Sequence, residues 1–328
     1  MTTTHSTEPR GQERPHTVLP IPPAQYPYLW FSGEQLPWEE ALVHVTTVGW
    51  PAIGAIFEGI RGYWSDEQEA LSIFRLPEHM ARFDNSVKLQ RMRPRFSGAE
   101  IGDALLELCR RNDAREDVYL QPMAFSLGAI WGSRAALDAS PEVLITVRPS
   151  DSTLGSAKTL TAGVASWRRI SDDALPPRIK AFPNYANSRL ASNEAARHGY
   201  DAPIFLNSAG KVSESSGSCL FIIRNGTVIT PPITASILES ITRDSVIELC
   251  RDGLGVPVVE RDVDRTELYV ADEAFLCGTA MEVTPLSEID GFQVGSGDIG
   301  DITNNLEQLF HNVVRNREPR YAHWVTRV

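Results

Sequence analysis

The chain has no apolar run long enough to cross a membrane as a helix, so no membrane-spanning helix is expected. Its four cysteines, Cys109, Cys219, Cys250 and Cys277, are scattered, and none sits in a CxxC pair. Neither a disulfide frame nor a zinc site fits that pattern. The seven histidines include no HExxH and no other close ligand pair, so metal chemistry is not expected. There is no Gly-x-Gly-x-x-Gly fingerprint and no P-loop, which leaves nicotinamide and ATP readings without support. Positive charge is also in deficit, with 31 Lys and Arg against 42 Asp and Glu and a net charge of −11. That balance argues against nucleic acid and anionic membranes as partners. The N-terminal residues lack the apolar core of a signal peptide, so a reduced, cytoplasmic setting with buried thiols is expected.

What is present is globular. Apolar residues at 42% and charged residues at 22% are ordinary values, and 328 residues suffice for two domains. Residues 1–27 are polar and proline-rich and read as a mostly disordered arm, with order expected from Tyr28. A small α+β domain is expected over 28–148. His44–Val48, Ile53–Phe57, Leu71–Arg75, Val118–Met123 and Glu142–Val147 read as strands, and Pro77–Leu89 and Ala99–Asn112 as helices. Residues 149–158 carry proline, serine, glycine and aspartate and little apolar bulk, as an interdomain linker does. A larger α/β domain is expected over 159–328. Its strands are Thr159–Trp167, Ala202–Asn207, Cys219–Ile223, Thr227–Thr230 and Glu273–Cys277. Its helices are Asn184–His198, stopped by Gly199, and Thr242–Asp252, stopped by Gly253. Asn225-Gly226 marks a hairpin turn.

Lys180 lies between a strand and a helix, in the run Arg178-Ile179-Lys180-Ala181-Phe182-Pro183-Asn184-Tyr185, and Glu214 follows in a turn-rich segment. A lysine, a phenol and a carboxylate are three of the groups that hold and activate pyridoxal 5′-phosphate. The lysine attaches it, the phenol bonds the ring oxygen, and the carboxylate keeps the pyridine nitrogen protonated. Two segments could take the phosphate. Ser240-Ile241-Thr242-Arg243 opens a helix, whose free N–H groups attract an anion, and Gly278-Thr279-Ala280 makes a small turn with a hydroxyl after a strand.

Seven blocks then occur in order between about Tyr28 and Thr303: Phe57-Glu58-Gly59-Ile60-Arg61, His79-Met80-x-Arg82, Lys180-Ala181-x-x-Asn184-Tyr185, Ser213-Glu214, Gly226 to Pro231, Ile241-Thr242-Arg243-Asp244 and Gly278-Thr279-Ala280. In these the chain resembles class IV aminotransferases, and most of all the branched-chain amino acid aminotransferase group. The resemblance implies the two-domain fold-type IV architecture, similar to D-amino acid aminotransferase, with the active site between domains and a homodimeric assembly. It implies Lys180 as the attachment lysine and proton carrier, Tyr185 at the ring hydroxyl and Glu214 at the pyridine nitrogen. Arg82, the N–H groups of Ile241 and Thr242 and the Thr279 hydroxyl would hold the phosphate, and Leu238 would back the ring. Phe57, Arg61, Tyr119, Gln121 and Ala280 fall on the substrate side. The substrates implied are a small amino donor and an oxo-acid acceptor.

The substrate side departs from the pattern. Gln121 stands where the group carries an arginine in Tyr-x-Arg, Ala52 where it carries a tyrosine, and 149–155 has no aromatic residue. Arg61, Arg148 and Arg168 remain as cations that could meet a carboxylate. A donor bulkier or more polar than the branched-chain amino acids is expected. The alternatives are an (R)-selective amine transaminase, a lyase of the aminodeoxychorismate type, and a catalytically silent binding protein.

Overall fold

The computed structural model describes residues 25–43, 54–126 and 140–328. The expected strand His44–Val48, the residues Ala52 and Ile53, and residues 1–24 of the arm lie outside the described residues. Among the described residues the strands form two sheets of eight.

The first sheet holds β1 (Tyr28–Phe31), β2 (Glu34–Pro37), β3 (Ile56–Phe57), β4 (Ile60–Ser65), β5 (Ala70–Phe74), β6 (Val118–Phe125) and β7 (Glu142–Pro149). Its order is β16-β5-β4-β6-β7-β1-β2 with β3 beside β6, where β16 is Val325–Arg327. The pairings are antiparallel. Alternation decides its two faces. Val118, Leu120 and Ala124 of β6 and Val143, Ile145 and Val147 of β7 point into a core shared with the helices Leu76–Leu89 and Gly98–Arg111. The second helix starts at a full capping box, in which the Ser97 hydroxyl accepts from Glu100 N–H and the Glu100 carboxylate accepts from Ser97 N–H. The opposite face of β6 and β7 carries Tyr119, Gln121, Thr146 and Arg148, and Tyr119 pairs directly with Arg148.

The second sheet is mixed and contains β8 (Leu160–Arg168), β9 (Ala202–Leu206), β10 (Cys219–Arg224), β11 (Thr227–Thr230), β12 (Val258–Glu260), β13 (Glu273–Gly278), β14 (Glu282–Ile289) and β15 (Phe292–Gln293). Its order is β12-β11-β10-β13-β14-β8-β9, with β15 beside β14. Near-continuous apolar runs mark β9, β10 and β13, as strands covered on both faces require. One face packs on the helices Ile241–Glu248 and Asp301–Val314, and Phe221 and Phe275 stack there with ring centroids 4.9 Å apart. The expected helix Thr242–Asp252 begins at Ile241 and changes after Glu248 to a wider turn through Gly253.

Residues 150–159 cross from one sheet to the other. The last strand, β16, pairs antiparallel with β5, so it joins the first sheet and not the second, where a single domain over 159–328 would put it. Trp324 explains this return. It is buried, its ring lies 6.0 Å from Phe74 and 4.8 Å from Tyr321, and the Arg75 guanidinium sits 4.8 Å above it. Order also begins earlier than Tyr28, because Tyr26 is buried and donates to Glu116 at 2.9 Å. Truncation of Trp324 to alanine is expected to cost about 3–5 kcal/mol, the usual loss for a large buried aromatic. Urea denaturation of the purified variant measures it.

Candidate active site

A short β-like contact places Lys180. Phe57 N–H donates to Lys180 C=O at 3.0 Å, Phe182 N–H donates to Ala55 C=O at 2.9 Å, and Lys180 N–H reaches Ser86 Oγ at 3.3 Å. Asn184 fixes the loop by donating through Nδ2 to the carbonyls of Pro176 and Ile179 at 3.1 and 3.0 Å. The helix Asn184–Arg197 then begins, and its first turn brings Tyr185 back toward the lysine. Lys180 Nζ lies 2.8 Å from the Tyr185 hydroxyl and 4.8 Å from the centre of the Phe57 ring. The amine and phenol face a cavity of about 180 Å³ between the sheets.

Glu214 closes the far side. It is buried, and its carboxylate pairs with Arg169 at 2.7 Å and accepts from Leu238 N–H at 3.2 and 3.3 Å. Burial pushes the Glu214 carboxyl above its ordinary value, while Arg169, the Leu238 N–H and Lys180 pull it back toward the charged form. Arg169 is therefore a site residue that the sequence reading missed. Arg168, singled out as a possible anchor, is exposed at the end of β8, whereas its neighbour turns inward to the cavity. Alternation gave no signal here: Ser166, Trp167 and Arg168 are all exposed at the irregular end of β8, and Arg169, just past it, is turned inward as its N–H donates to Leu206 C=O at 2.9 Å.

Arg82 enters from the helix Leu76–Leu89. It bonds Glu58 bidentately at 2.8 and 2.7 Å and donates to Glu239 C=O at 2.8 Å. Those three bonds leave two of the five guanidinium N–H donors for a ligand. Glu58 is fully buried, which alone would raise its pKa, yet Arg82 and His79 hold it at about 2. Burial in turn keeps His79 below its ordinary value, so the neutral ring donates from Nδ1 to the Glu58 carboxylate at 2.8 Å. The helix Ile241–Glu248 points its N-terminus at the same end. Ser240 caps it by accepting from Arg243 N–H at 3.2 Å, and the N–H groups of Ile241 and Thr242 have no partner within the helix.

The cavity brings together Lys180, Tyr185, Glu214, Arg82, Leu238, Thr279 and Ala280, and Phe57 and Tyr119 also line it. Ile241 and Thr242 lie behind this lining, and Thr242 faces a small void with Thr279. Gln121 is half-buried on the same face as Tyr119 but does not line the cavity. Arg61 is the clear departure. It is buried, its guanidinium lies 3.3 Å from the Glu282 carboxylate, and it donates to the carbonyls of Ser150 and Asp151. Its charge is consumed inside the protein, so it is not a carboxylate anchor. Gly59 is forced by the site, because a Cβ there would stand 1.9 Å from the Tyr119 hydroxyl.

Comparison with known proteins agrees with this geometry. The family model for amino-transferase class IV matches residues 55–289. The chain belongs to the class IV aminotransferases. It is 42% identical over 301 residues to the "Probable branched-chain-amino-acid aminotransferase" of Aquifex aeolicus, covering 92% of this chain and 96% of that one. It is 36% identical over 307 residues to the branched-chain-amino-acid aminotransferase of Escherichia coli K12, covering 92% and 97%. The branched-chain amino acid aminotransferase of Thermobaculum terrenum, solved in its PLP form, superposes with a TM-score of 0.89 at 48% identity, over 92% of this chain and 98% of that one. This is a branched-chain aminotransferase-like, PLP-dependent transaminase with the fold-type IV architecture.

The residues present fit pyridoxal phosphate. A paired amine and phenol face a buried carboxylate across the cavity, and Arg82 has spare donors beside an uncommitted helix N-terminus. The Ser218 hydroxyl, on the lining, is buried without a hydrogen-bond partner. Among the described residues no cluster of three His, Cys, Asp or Glu side chains could hold a metal ion, and no helix is long and apolar enough to cross a membrane.

A carboxyl whose pKa is raised carries its charge only above that value. Activity is therefore expected to fall on the acid side as Glu214 gains a proton. Replacing Arg169 with glutamine removes the largest opposing charge, so the acid limb of kcat/KM is expected to move to higher pH. The pH profiles of parent and variant test this.

Proposed function

We propose that this transaminase moves an amino group from an amino-acid donor bulkier or more polar than leucine or valine to a 2-oxo acid. The observation that carries the transamination itself is Lys180 Nζ at 2.8 Å from the Tyr185 hydroxyl, in a cavity closed by Glu214. Bound pyridoxal phosphate supplies the carbonyl that accepts the nitrogen and the ring that takes up electrons from the donor's Cα. Arg82, the N–H groups of Ile241 and Thr242 and the Thr279 hydroxyl are the groups for its phosphate. Glu214, held toward its charged form by Arg169, is the group for its ring nitrogen. Lys180 is placed to carry the proton released at Cα, and the Tyr185 hydroxyl orients the amine. The donor leaves as an oxo compound, and the acceptor takes the nitrogen in the second half-reaction.

Support for the donor class comes from the face of β6 and β7 beside the cavity. Gln121 brings no charge there. Arg148 is exposed and stacks on the Tyr119 ring at 4.4 Å, with no carboxylate partner among the described residues. A free guanidinium beside a cavity-lining tyrosine suits a donor with a polar or charged extension. Residues 150–155 add no aromatic wall of the kind that favours leucine, where each buried methylene is worth about 0.8 kcal/mol. The reading includes a homodimer, on the strength of the family resemblance.

Specificity constants for L-leucine, L-valine, L-glutamate, L-phenylalanine and (R)-1-phenylethylamine, with 2-oxoglutarate as acceptor, test the proposal. Glutamate or phenylalanine is expected to exceed leucine and valine, and Arg148→Ala is expected to reduce turnover of glutamate more than of leucine. A constant for leucine or valine at or above every other donor contradicts it. Response to the amine alone favours an amine transaminase, and pyruvate release from added aminodeoxychorismate without an acceptor favours a lyase.

A further inference from the structure

Glu282 has a combination of properties that the mechanism does not use. It is fully buried, it carries a formal charge, and its backbone lies in the left-handed region at φ 54°. It pairs with Gly278 across β13 and β14, so residues 279–281 form a three-residue hairpin loop and Glu282 is the residue that closes it. Such a loop ordinarily ends on glycine, which takes positive φ without strain. A glutamate here needs surroundings that fix it.

Those surroundings come from two other parts of the chain, β4 and the segment that crosses between the sheets. One carboxylate oxygen accepts from the Tyr63 hydroxyl at 3.0 Å and the Ser152 hydroxyl at 2.8 Å, and lies 3.3 Å from the Arg61 guanidinium. The other accepts from Thr153 N–H at 2.7 Å and the Thr153 hydroxyl at 3.0 Å. Arg61 also grips the carbonyls of Ser150 and Asp151. The segment joining the two sheets is thus fastened, through one side chain, to the loop that carries Thr279 and Ala280 into the cavity.

We propose that Glu282 is a positioning residue: its carboxylate locks the crossing segment 150–153 to the Thr279–Ala280 loop, and so fixes the distance between the first sheet and the substrate end of the cavity. The charge is required because only a carboxylate can accept from all four hydrogen-bond donors and also pair with the Arg61 guanidinium. The left-handed backbone is the geometry that turns this carboxylate away from the cavity and toward the crossing segment. The proposal rests on the reading that the Thr279–Ala280 loop faces the amino-acid substrate, but the tether itself can be measured without any substrate.

Glu282→Gly separates the two roles, because glycine suits the backbone and removes the tether. If the residue served only the hairpin, this variant would match or exceed the parent in stability and activity. The expected result is faster amide hydrogen exchange at 150–155 and 279–284 in the cofactor-loaded enzyme. With L-glutamate or L-leucine, KM is expected to rise about tenfold or more, since small misplacements at a site cost that much. Cofactor affinity by absorbance titration is expected to fall by less than KM rises, because Lys180, Arg82 and Glu214 are untouched and the loop brings only the Thr279 hydroxyl to the phosphate. Ser152→Ala with Thr153→Ala, on the more accessible side of the tether, is expected to raise exchange at 150–155 while Arg61 and Tyr63 keep the loop in place. It decides the matter if Glu282→Gly does not fold. Unchanged exchange at 150–155 in either folded variant overturns the tether. Faster exchange with an unchanged KM overturns the link to substrate positioning, and activity toward neither amino acid in the parent points instead to the donor assignment.

Discussion

Buried charge, paired across the chain, is the constraint on which the site depends. Three carboxylates around the cavity are almost wholly withdrawn from solvent, and each has an arginine: Glu58 with Arg82, Glu214 with Arg169 and Glu282 with Arg61. An ion buried without its partner costs several kcal/mol, so none of these pairs can open while the fold stays as it is. Every one therefore acts as a geometric clamp. The Arg82 pair fixes a guanidinium with donors to spare at one end of the cavity. The Arg169 pair keeps a carboxylate near its charged form at another. The Arg61 pair holds the two sheets in register behind the loop that carries Thr279 and Ala280.

The same logic explains why Lys180 has a short, rigid approach. Its backbone bonds to β3 and to Ser86, so its position is set by the first sheet. Its phenol partner comes from the helix Asn184–Arg197, and Glu214 comes from the far side of β9. The chemistry thus stands at a junction of elements whose relative placement is fixed by hydrogen bonds and ion pairs, with apolar cores on both sides.

Much of this was legible in the sequence, and the exceptions have physical causes. In the first sheet β6 and β7 announce themselves by period two and the helix Gly98–Arg111 by its amphipathic spacing, whereas β4, buried along most of its length, carries no alternation and went unread. Lys180, Tyr185 and Glu214 were readable because their chemistry is specific as a set. Arg61 was misread because a sequence shows a cation but not the distant Glu282 that neutralises it. Arg169 was passed over for Arg168 because the inward turn comes just past the irregular end of β8, where three exposed residues in a row break the alternation. The helix Asp301–Val314 went unread, although Leu306, Phe310, Val313 and Val314 repeat at helical spacing. β16 could not be assigned to the first sheet from pattern alone, since its partner is set by the burial of Trp324.

The central claim is that Lys180 is the amine that reacts. The sequence contains four lysines, Lys88, Lys158, Lys180 and Lys211, which makes a direct test possible. The protein would be loaded with pyridoxal phosphate, reduced with borohydride, digested and mapped by mass spectrometry. The account expects the pyridoxyl label on Lys180 alone, and loss of that label when an amino donor is added before reduction. A label on Lys88, Lys158 or Lys211 instead, or no label at all, would contradict it.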